Sequence, residues 1–268
     1  MNILHPSVPL AKREKLGDDL FKMSFDSPDM ASHLKPGNFV HIRVTSQVDP
    51  LFRRAMSIHW RKGDTFTILF RVVGKGTRLL SCLRDGDKVD ILGPLGNSFD
   101  FPGSEDIAIM VGGGTGMPPL HFLSRTLIEQ DATARKRIHF LCGISSKADL
   151  PLASDVEKLG VDFKLSSDDG SVGHKGFVTE LLEKELEGMN PAKTKVYSCG
   201  PANMLKAVSK ICSEPKIKCQ ISLEGSMPCG IGTCLGCAVR STDSKDQFKR
   251  ICKEGPVFYS DEVKPWAK

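Results

Sequence analysis

The sequence predicts three parts: a small closed β-barrel, a doubly wound parallel α/β unit, and a short C-terminal unit rich in cysteine. Three observations lead there. Between Phe21 and Pro102, short alternating segments follow one another with turn residues between them. From Asp106, an apolar run opens a series of strands alternating with helical stretches. Four cysteines then fall between residues 229 and 252, three of them close together. A chain of 268 residues has room for two domains and an appendage. The expected boundaries are 1–103, 104–214 and 215–268.

The barrel strands are read at 21–25, 39–44, 56–60, 65–73 and 88–92, giving five or six in all, from period-2 patterning and β-branched or aromatic content. Pro36-Gly37, Gly63-Asp64 and Asp85-Gly86-Asp87 mark the turns. Closing the sheet removes exposed edges. A short helix is expected at 78–83. In the second part, Asp106–Val111 has the continuous apolar character of a parallel strand buried on both faces. Further strands are expected at 137–142, 161–165 and 195–199. Helices are expected at 120–130, 148–159, 178–186 and 202–212. Strands alternating with helices give a parallel sheet wound in both directions.

Composition narrows the function classes. Lys and Arg exceed Asp and Glu by 37 − 32 = 5, and the basic residues are scattered, which argues against a nucleic-acid groove. The first twenty residues lack a signal-peptide core, and no apolar run reaches membrane-spanning length, so no membrane insertion is expected. The compartment expected is the cytoplasm, where Cys82, Cys142, Cys199, Cys212 and Cys219 stay as thiols and no disulfide framework is needed.

Cys229, Cys234, Cys237 and Cys252 are spaced C-x4-C-x2-C with fourteen residues before the last. That is the plant-type arrangement for a [2Fe-2S] cluster, in which four thiolates hold two bridged irons. Three ligands must converge from one tight loop, and Gly230, Gly232 and Gly236 let the backbone curl there. A structural zinc site usually pairs two knuckles instead. Such a cluster carries single electrons, so the remaining motifs should say where they come from and go.

Two loops of the barrel are candidates for an anionic cofactor. Arg54-Ala55-Met56-Ser57 enters a strand, with a guanidinium and a hydroxyl that suit a phosphate and the polar edge of a flavin. Gly74-Lys75-Gly76-Thr77 precedes the short helix and suits a pyrophosphate, or else is a turn with Thr77 as its cap. Gly112-Gly113-Gly114-Thr115-Gly116 ends the first parallel strand, where α/β sheets place ligands, although it is not a strict G-x-G-x-x-G. Pro118 and Pro119 suit the first turn of the following helix. Cys199-Gly200-Pro201 ends another strand on the same rim; taken alone, Cys199 reads as a buried structural thiol. Asp168 and Asp169 end a third strand. They are either acceptors for ribose hydroxyls, favouring NAD over NADP, or a solvated turn before Gly170, while Lys147 pulls towards a phosphate.

In this order the pieces resemble the ferredoxin-reductase superfamily. Residues 222–237 and Gly255-Pro256-Val257-Phe258 narrow the resemblance to the electron-transfer subunits of dihydroorotate dehydrogenase B. It covers nearly the whole chain. It implies FAD in the barrel at Arg54, Ala55, Met56, Ser57, Arg71, Val72, Val73, Gly76 and Thr77. It also implies NAD at Gly112–Gly116, with Cys199 a catalytic residue near the nicotinamide. The chain departs from the family pattern at Ala55, Met56 and Thr115, none of which removes a ligand. The resemblance further implies a catalytic partner carrying its own flavin in a hetero-oligomer, with electrons passing through the [2Fe-2S] centre and FAD to NAD in pyrimidine biosynthesis. A second reading is an NADH-oxidising reductase subunit for a sulfite reductase or an oxygenase. A third is an iron-sulfur redox sensor, which would have no use for flavin and nucleotide loops together.

Overall fold

Strand alternation in the first part sends one set of side chains inward. In the computed structural model, which describes residues 3–243 and 247–265, Val8, Leu10, Met23, Phe25, Val40, Ile42, Phe66 and Ile68 share one core. The strands around it are β1 (Ser7–Lys15), β2 (Leu20–Asp26), β3 (Phe39–Ile42), β4 (Arg54–Lys62), β5 (Thr65–Arg71) and β6 (Lys88–Leu95). They close into an all-antiparallel barrel ordered β1-β2-β5-β4-β3-β6. Two short helices decorate it, α1 (Pro28–His33) and α2 (Lys75–Ser81). The strand β1 was not among the expected segments. Helix α2 begins three residues earlier than expected, because the Thr77 hydroxyl accepts the Val73 and Gly74 amides and starts the turn there.

The second part is a sheet with both faces buried, as its apolar runs require. Its elements are β7 (Ile107–Gly113), α3 (Met117–Gln130), β8 (Ile138–Ile144), α4 (Leu150–Glu157), β9 (Asp162–Ser167), β10 (His174–Lys175), α5 (Val178–Leu186), β11 (Thr194–Cys199), α6 (Ala202–Ser213) and β12 (Lys218–Ser222). Met110, Phe140 and Tyr197 face one core, with α3 and α4; Ile109, Val111, Leu141 and Val196 face the other, with α5 and α6. The sheet order is β10-β9-β8-β7-β11-β12-β15, where β15 (Val257–Tyr259) pairs antiparallel with β12.

The chain winds from β7 out to β10, then returns to place β11 on the other side of β7. The strand order therefore reverses between β7 and β11, where a doubly wound sheet opens a crevice at its carboxyl ends.

The C-terminal part is less separate than its expected start at 215 implies. Both β12 and β15 belong to the nucleotide-type sheet, so hydrogen bonding runs unbroken across that boundary. Among the described residues, β13 (Ala238–Ser241), β14 (Phe248–Arg250) and β16 (Val263–Lys264) form a separate sheet. Residues 1–2, 244–246 and 266–268 of the expected units lie outside the described residues. Asn97, just past β6, ties this part to the barrel: its side chain donates to the carbonyls of Glu254 and Val257 and accepts the Val257 amide. Among the described residues no helix is long and apolar enough to cross a membrane.

Candidate functional site

The crevice between β7 and β11 holds a cavity of about 820 Å³. Gly113, Gly114, Thr115 and Gly116 line it from the end of β7, Gly143 and Ser145 from β8, and Gly200 and Pro201 from β11. Gly112 lies behind this wall, against Met117. Gly116 is where side chains are excluded most strictly: a Cβ there would sit 2.2 Å from the Cys199 carbonyl oxygen and 2.5 Å from the Gly200 nitrogen. The two strand ends approach that closely because no side chain intervenes.

Cys199 itself is not on the cavity wall. Its thiol is 2% exposed, and burial first, then the charge of Glu224, holds it above the ordinary thiol range. The thiol packs under the strand ends, directly below the Cys199 carbonyl that Gly116 approaches. The two aspartates also part ways. Asp168 lines the cavity, whereas the Asp169 carboxylate accepts the Ser171 amide and caps the turn.

A second cavity, about 270 Å³, lies beside the first at the barrel mouth. Arg54, Ala55, Met56 and Ser57 line it from β4, with Arg71, Val73 and Thr77 opposite. Val72 instead packs against the barrel core, and Gly76 is buried under the Arg54 side chain, where a Cβ would lie 2.1 Å from Nε. The adjacent arginines have different partners. Arg53 is bound to Asp90 through both terminal nitrogens, at 2.9 and 2.7 Å. Among the described residues the Arg54 guanidinium donates hydrogen bonds to the carbonyls of Phe52 and Arg53 and has no carboxylate partner; it faces the cavity, leaving its charge available to a phosphate.

Arg71, Thr115 and Glu224 line both cavities. Arg71 is held there by Asp19 and Asp149, each at 2.6 Å, so the β1–β2 turn of the barrel and the turn that leads into α4 share one guanidinium. Glu224 is an exposed residue at the cavity edge, and the protein packed about its carboxyl raises it above the ordinary range. Neither Glu224 nor Asp149 stands out in the sequence, since nothing local marks a carboxylate as lying at a junction.

The far wall of the smaller cavity is Ser222 to Gly225 and Met227, the lead-in to the cysteine loop. All four cysteines gather there. Cys237 and Cys252 are buried with their sulfurs 3.3 Å apart, Cys229 is half-buried and Cys234 exposed. Gly230 and Gly232 have φ of 71° and 86°, the left-handed conformation the loop needs to turn back on itself. Burial raises the Cys229 thiol, but the Cys234 and Ile231 amides aimed at its sulfur outweigh it and bring it to about 6. The Cys252 thiol is pushed up to about 12 by burial and by Cys237. The Gly236 amide donates to the Cys234 sulfur at 3.4 Å and the Cys252 amide to Cys237 at 3.5 Å. Four converging sulfurs, met by backbone amides and with none in a disulfide, fit a [2Fe-2S] centre.

Comparison with known proteins agrees with this geometry. Residues 224–264 match the iron-sulfur cluster binding domain of dihydroorotate dehydrogenase B, and 110–210 match the oxidoreductase NAD-binding domain. The electron transfer subunit of dihydroorotate dehydrogenase B (NAD(+)) from Desulforamulus reducens is 38% identical over 91% of this chain and 92% of its own. The chain belongs to that family. The dihydroorotate dehydrogenase B electron transfer subunit of Bacillus pumilus is 36% identical, covering 95% of this chain and 96% of its own. A solved structure of an NADH-dependent reduced ferredoxin-NADP oxidoreductase is 27% identical, with a TM-score of 0.84, covering 97% of this chain and 90% of that one. All four candidate iron ligands fall inside the span that matches the cluster-binding domain of dihydroorotate dehydrogenase B.

Proposed function

We propose that this chain carries electrons from a dihydroorotate-oxidising catalytic subunit with its own flavin to NAD, as part of a hetero-oligomer in pyrimidine biosynthesis. One observation supports this above the rest: the cavity at the barrel mouth is walled by all three parts of the chain, Arg54–Ser57, Thr115 and Ser222–Gly225 with Met227. When bound, the [2Fe-2S] centre and FAD supply the exchange between single electrons and a hydride pair. The chain's own residues hold and orient them. Cys229, Cys234, Cys237 and Cys252 hold the cluster; Arg54 takes a flavin phosphate; Met56, Leu69 and Phe70 form an apolar wall for the ring. Gly113–Gly116 let the nucleotide backbone approach the sheet, and Arg71 and Glu224 stand where the two cavities meet. Cys199, neutral beneath that point, shapes the nicotinamide end. The exposed Ile231 and Leu235 beside Cys234 give the partner an apolar contact close to the cluster.

The test is coexpression with a dihydroorotate dehydrogenase catalytic chain. Copurification of the two, with dihydroorotate-dependent formation of NADH, is the expected result; a chain carrying both cofactors that neither binds that partner nor takes electrons from dihydroorotate removes the reading. The likeness to the ferredoxin-NADP oxidoreductase structure favours a second reading, a reductase subunit running from NADH to another redox protein. NADH-dependent reduction of ferredoxin without any response to dihydroorotate selects it.

Two substitutions probe the cofactor assignments. Arg54→Ala is expected to weaken FAD binding about thirtyfold, the loss of a charge-assisted bond worth on the order of 2 kcal/mol. Arg53→Ala, which removes the partner of Asp90, should lower stability and leave FAD affinity within about threefold. Flavin retained after dialysis reads the difference, and equal loss in both variants removes it. For the nucleotide, Asp168→Ser should lower the preference for NADH over NADPH in kcat/KM about tenfold. Asp169→Ser should leave it unmoved, because that carboxylate serves the turn. A parent enzyme that prefers NADPH overturns the NAD assignment itself.

A further inference from the structure

Among the described residues three carboxyl groups line the two cavities, and one of them lines both. Asp149 and Asp168 face only the larger cavity, and Asp149 is tied to Arg71 at 2.6 Å. Glu224 faces the larger and the smaller alike. The other charged side chains on the wall of the smaller cavity are Arg54 and Arg71. A guanidinium keeps its protons throughout the range in which proteins work. The Ser57, Thr77, Thr115 and Ser222 hydroxyls can pass a proton along but do not store one, and Cys199 lines neither cavity. Glu224 is thus the group on the flavin wall that can give up a proton and take it back.

Its backbone is fixed from both sides. Ser222, two residues earlier, ends β12 and pairs with Cys199 on β11 and Val257 on β15, and the Leu223 amide donates to the Pro256 carbonyl. Glu224 then emerges at the cavity edge with Gly225 and Ser226, all three exposed. One side of the residue reaches water while the other faces the cavity. The protein packed about the carboxyl raises it above the ordinary range, so it keeps a proton closer to neutral pH than a free glutamate does.

The cofactors create a need for such a group. An iron-sulfur centre passes electrons without protons, whereas NAD accepts a hydride. The balance is FAD + 2 e− + H+ → FADH−, followed by FADH− + NAD+ → FAD + NADH. Each electron pair arriving from the cluster therefore requires a proton at the flavin ring, which leaves again within the hydride; flow in the other direction releases it.

We propose that Glu224 carries this proton between solvent and the flavin ring. The role rests on the cofactor reading given above. The carboxyl O–H breaks as the ring takes its proton, and water on the exposed side restores it. One consequence separates this role from a place in the cavity wall. Hydride from NADH brings its own hydrogen, so reduction of the flavin by NADH does not need Glu224, whereas removing those electrons one at a time does.

The experiment compares the cofactor-loaded protein with Glu224→Gln, which keeps the shape and loses the proton, after iron and FAD contents have been matched. In stopped flow, the limiting rate of flavin reduction by excess NADH should stay within about threefold of the parent, while reoxidation by ferricyanide, a one-electron acceptor, should fall about a hundredfold. Flash photoreduction of the flavin with time-resolved infrared detection should show a protonated-carboxyl band that bleaches and recovers in the parent and is missing in Glu224→Gln. Reoxidation at the parent's rate in Glu224→Gln overturns the proposal and leaves the cofactor reading intact. So does equal slowing of both half-reactions, which gives Glu224 a place in the wall only. A parent that holds no FAD, or whose flavin NADH does not reduce, overturns the cofactor reading as well. If Glu224→Gln fails to retain FAD, the parent's infrared record decides, and the absence of a transient carboxyl band rejects the role.

Discussion

Cys252→Ser should abolish the visible iron-sulfur spectrum while FAD stays bound. Cys252 is the last of the four by fourteen residues, and only the fold brings it to the others, its sulfur 3.3 Å from that of Cys237. Changes to groups that merely orient metal ligands already cost roughly 10–100-fold in metal affinity, so losing a ligand outright should cost more than about a hundredfold. The flavin cavity draws on residues 222–227 and on Pro256, but on none of the four thiols, so the yellow chromophore remains. The comparison is Cys219→Ala. Cys219 is as buried as Cys252, but it sits on β12 beside Val196, inside the sheet core and away from the loop. Its loss should lower thermal stability by about 1–2 kcal/mol and leave iron content unchanged. Iron and acid-labile sulfide per chain decide the matter. A normal cluster in Cys252→Ser, together with an empty one in Cys219→Ala, removes the ligand assignment.

Sequence patterning reached the parts of this fold whose information is local. The helix expected at 178–186 is α5 to the residue, because its apolar positions recur at helical spacing and Gly176 and Gly188 flank it. The cysteine run is legible for the same reason, since three of its four ligands lie in one loop. Long-range pairing leaves no such mark. The strand β1 ends in Lys12-Arg13-Glu14-Lys15, and of its nine residues only Val8 and Leu10 are buried, so it reads as solvated chain. The strand β12 belongs to the nucleotide-type sheet because Gln220 pairs with Tyr259 on one side and Tyr197 on the other, and nothing within 215–225 announces either. The sites divide in the same way. Arg53 and Arg54 are adjacent and identical in type, and Asp90, thirty-odd residues away, decides which of them is free.

The other large effect expected is at Gly116. The three atoms nearest a Cβ at that position are all backbone, the Cys199 carbonyl oxygen and carbon at 2.2 and 2.4 Å and the Gly200 nitrogen at 2.5 Å, so rotating a side chain away cannot make room. Gly116→Val must therefore push the ends of β7 and β11 apart, and those ends are the floor of the nucleotide cavity. Overpacking of this kind costs about 3 kcal/mol, and because the crevice is what the nucleotide enters, much of that should appear as an increase in KM for NADH of about a hundredfold. Gly114→Ala is the contrasting variant. Its φ of 53° is unfavourable for alanine, but a Cβ there meets nothing within 4 Å, so the expected cost is about 1 kcal/mol and a rise in KM of less than about tenfold. FAD and cluster content should match the parent in both, since neither cavity wall at Arg54–Ser57 nor the cysteine loop includes these glycines. Steady-state reduction of an artificial dye by NADH measures the effect without any partner protein. If Gly116→Val binds NADH as the parent does, the crevice between β7 and β11 is not the nucleotide site. If Gly114→Ala is the more damaging of the two, backbone conformation at the loop tip, not close approach of the strand ends, is what the glycines serve.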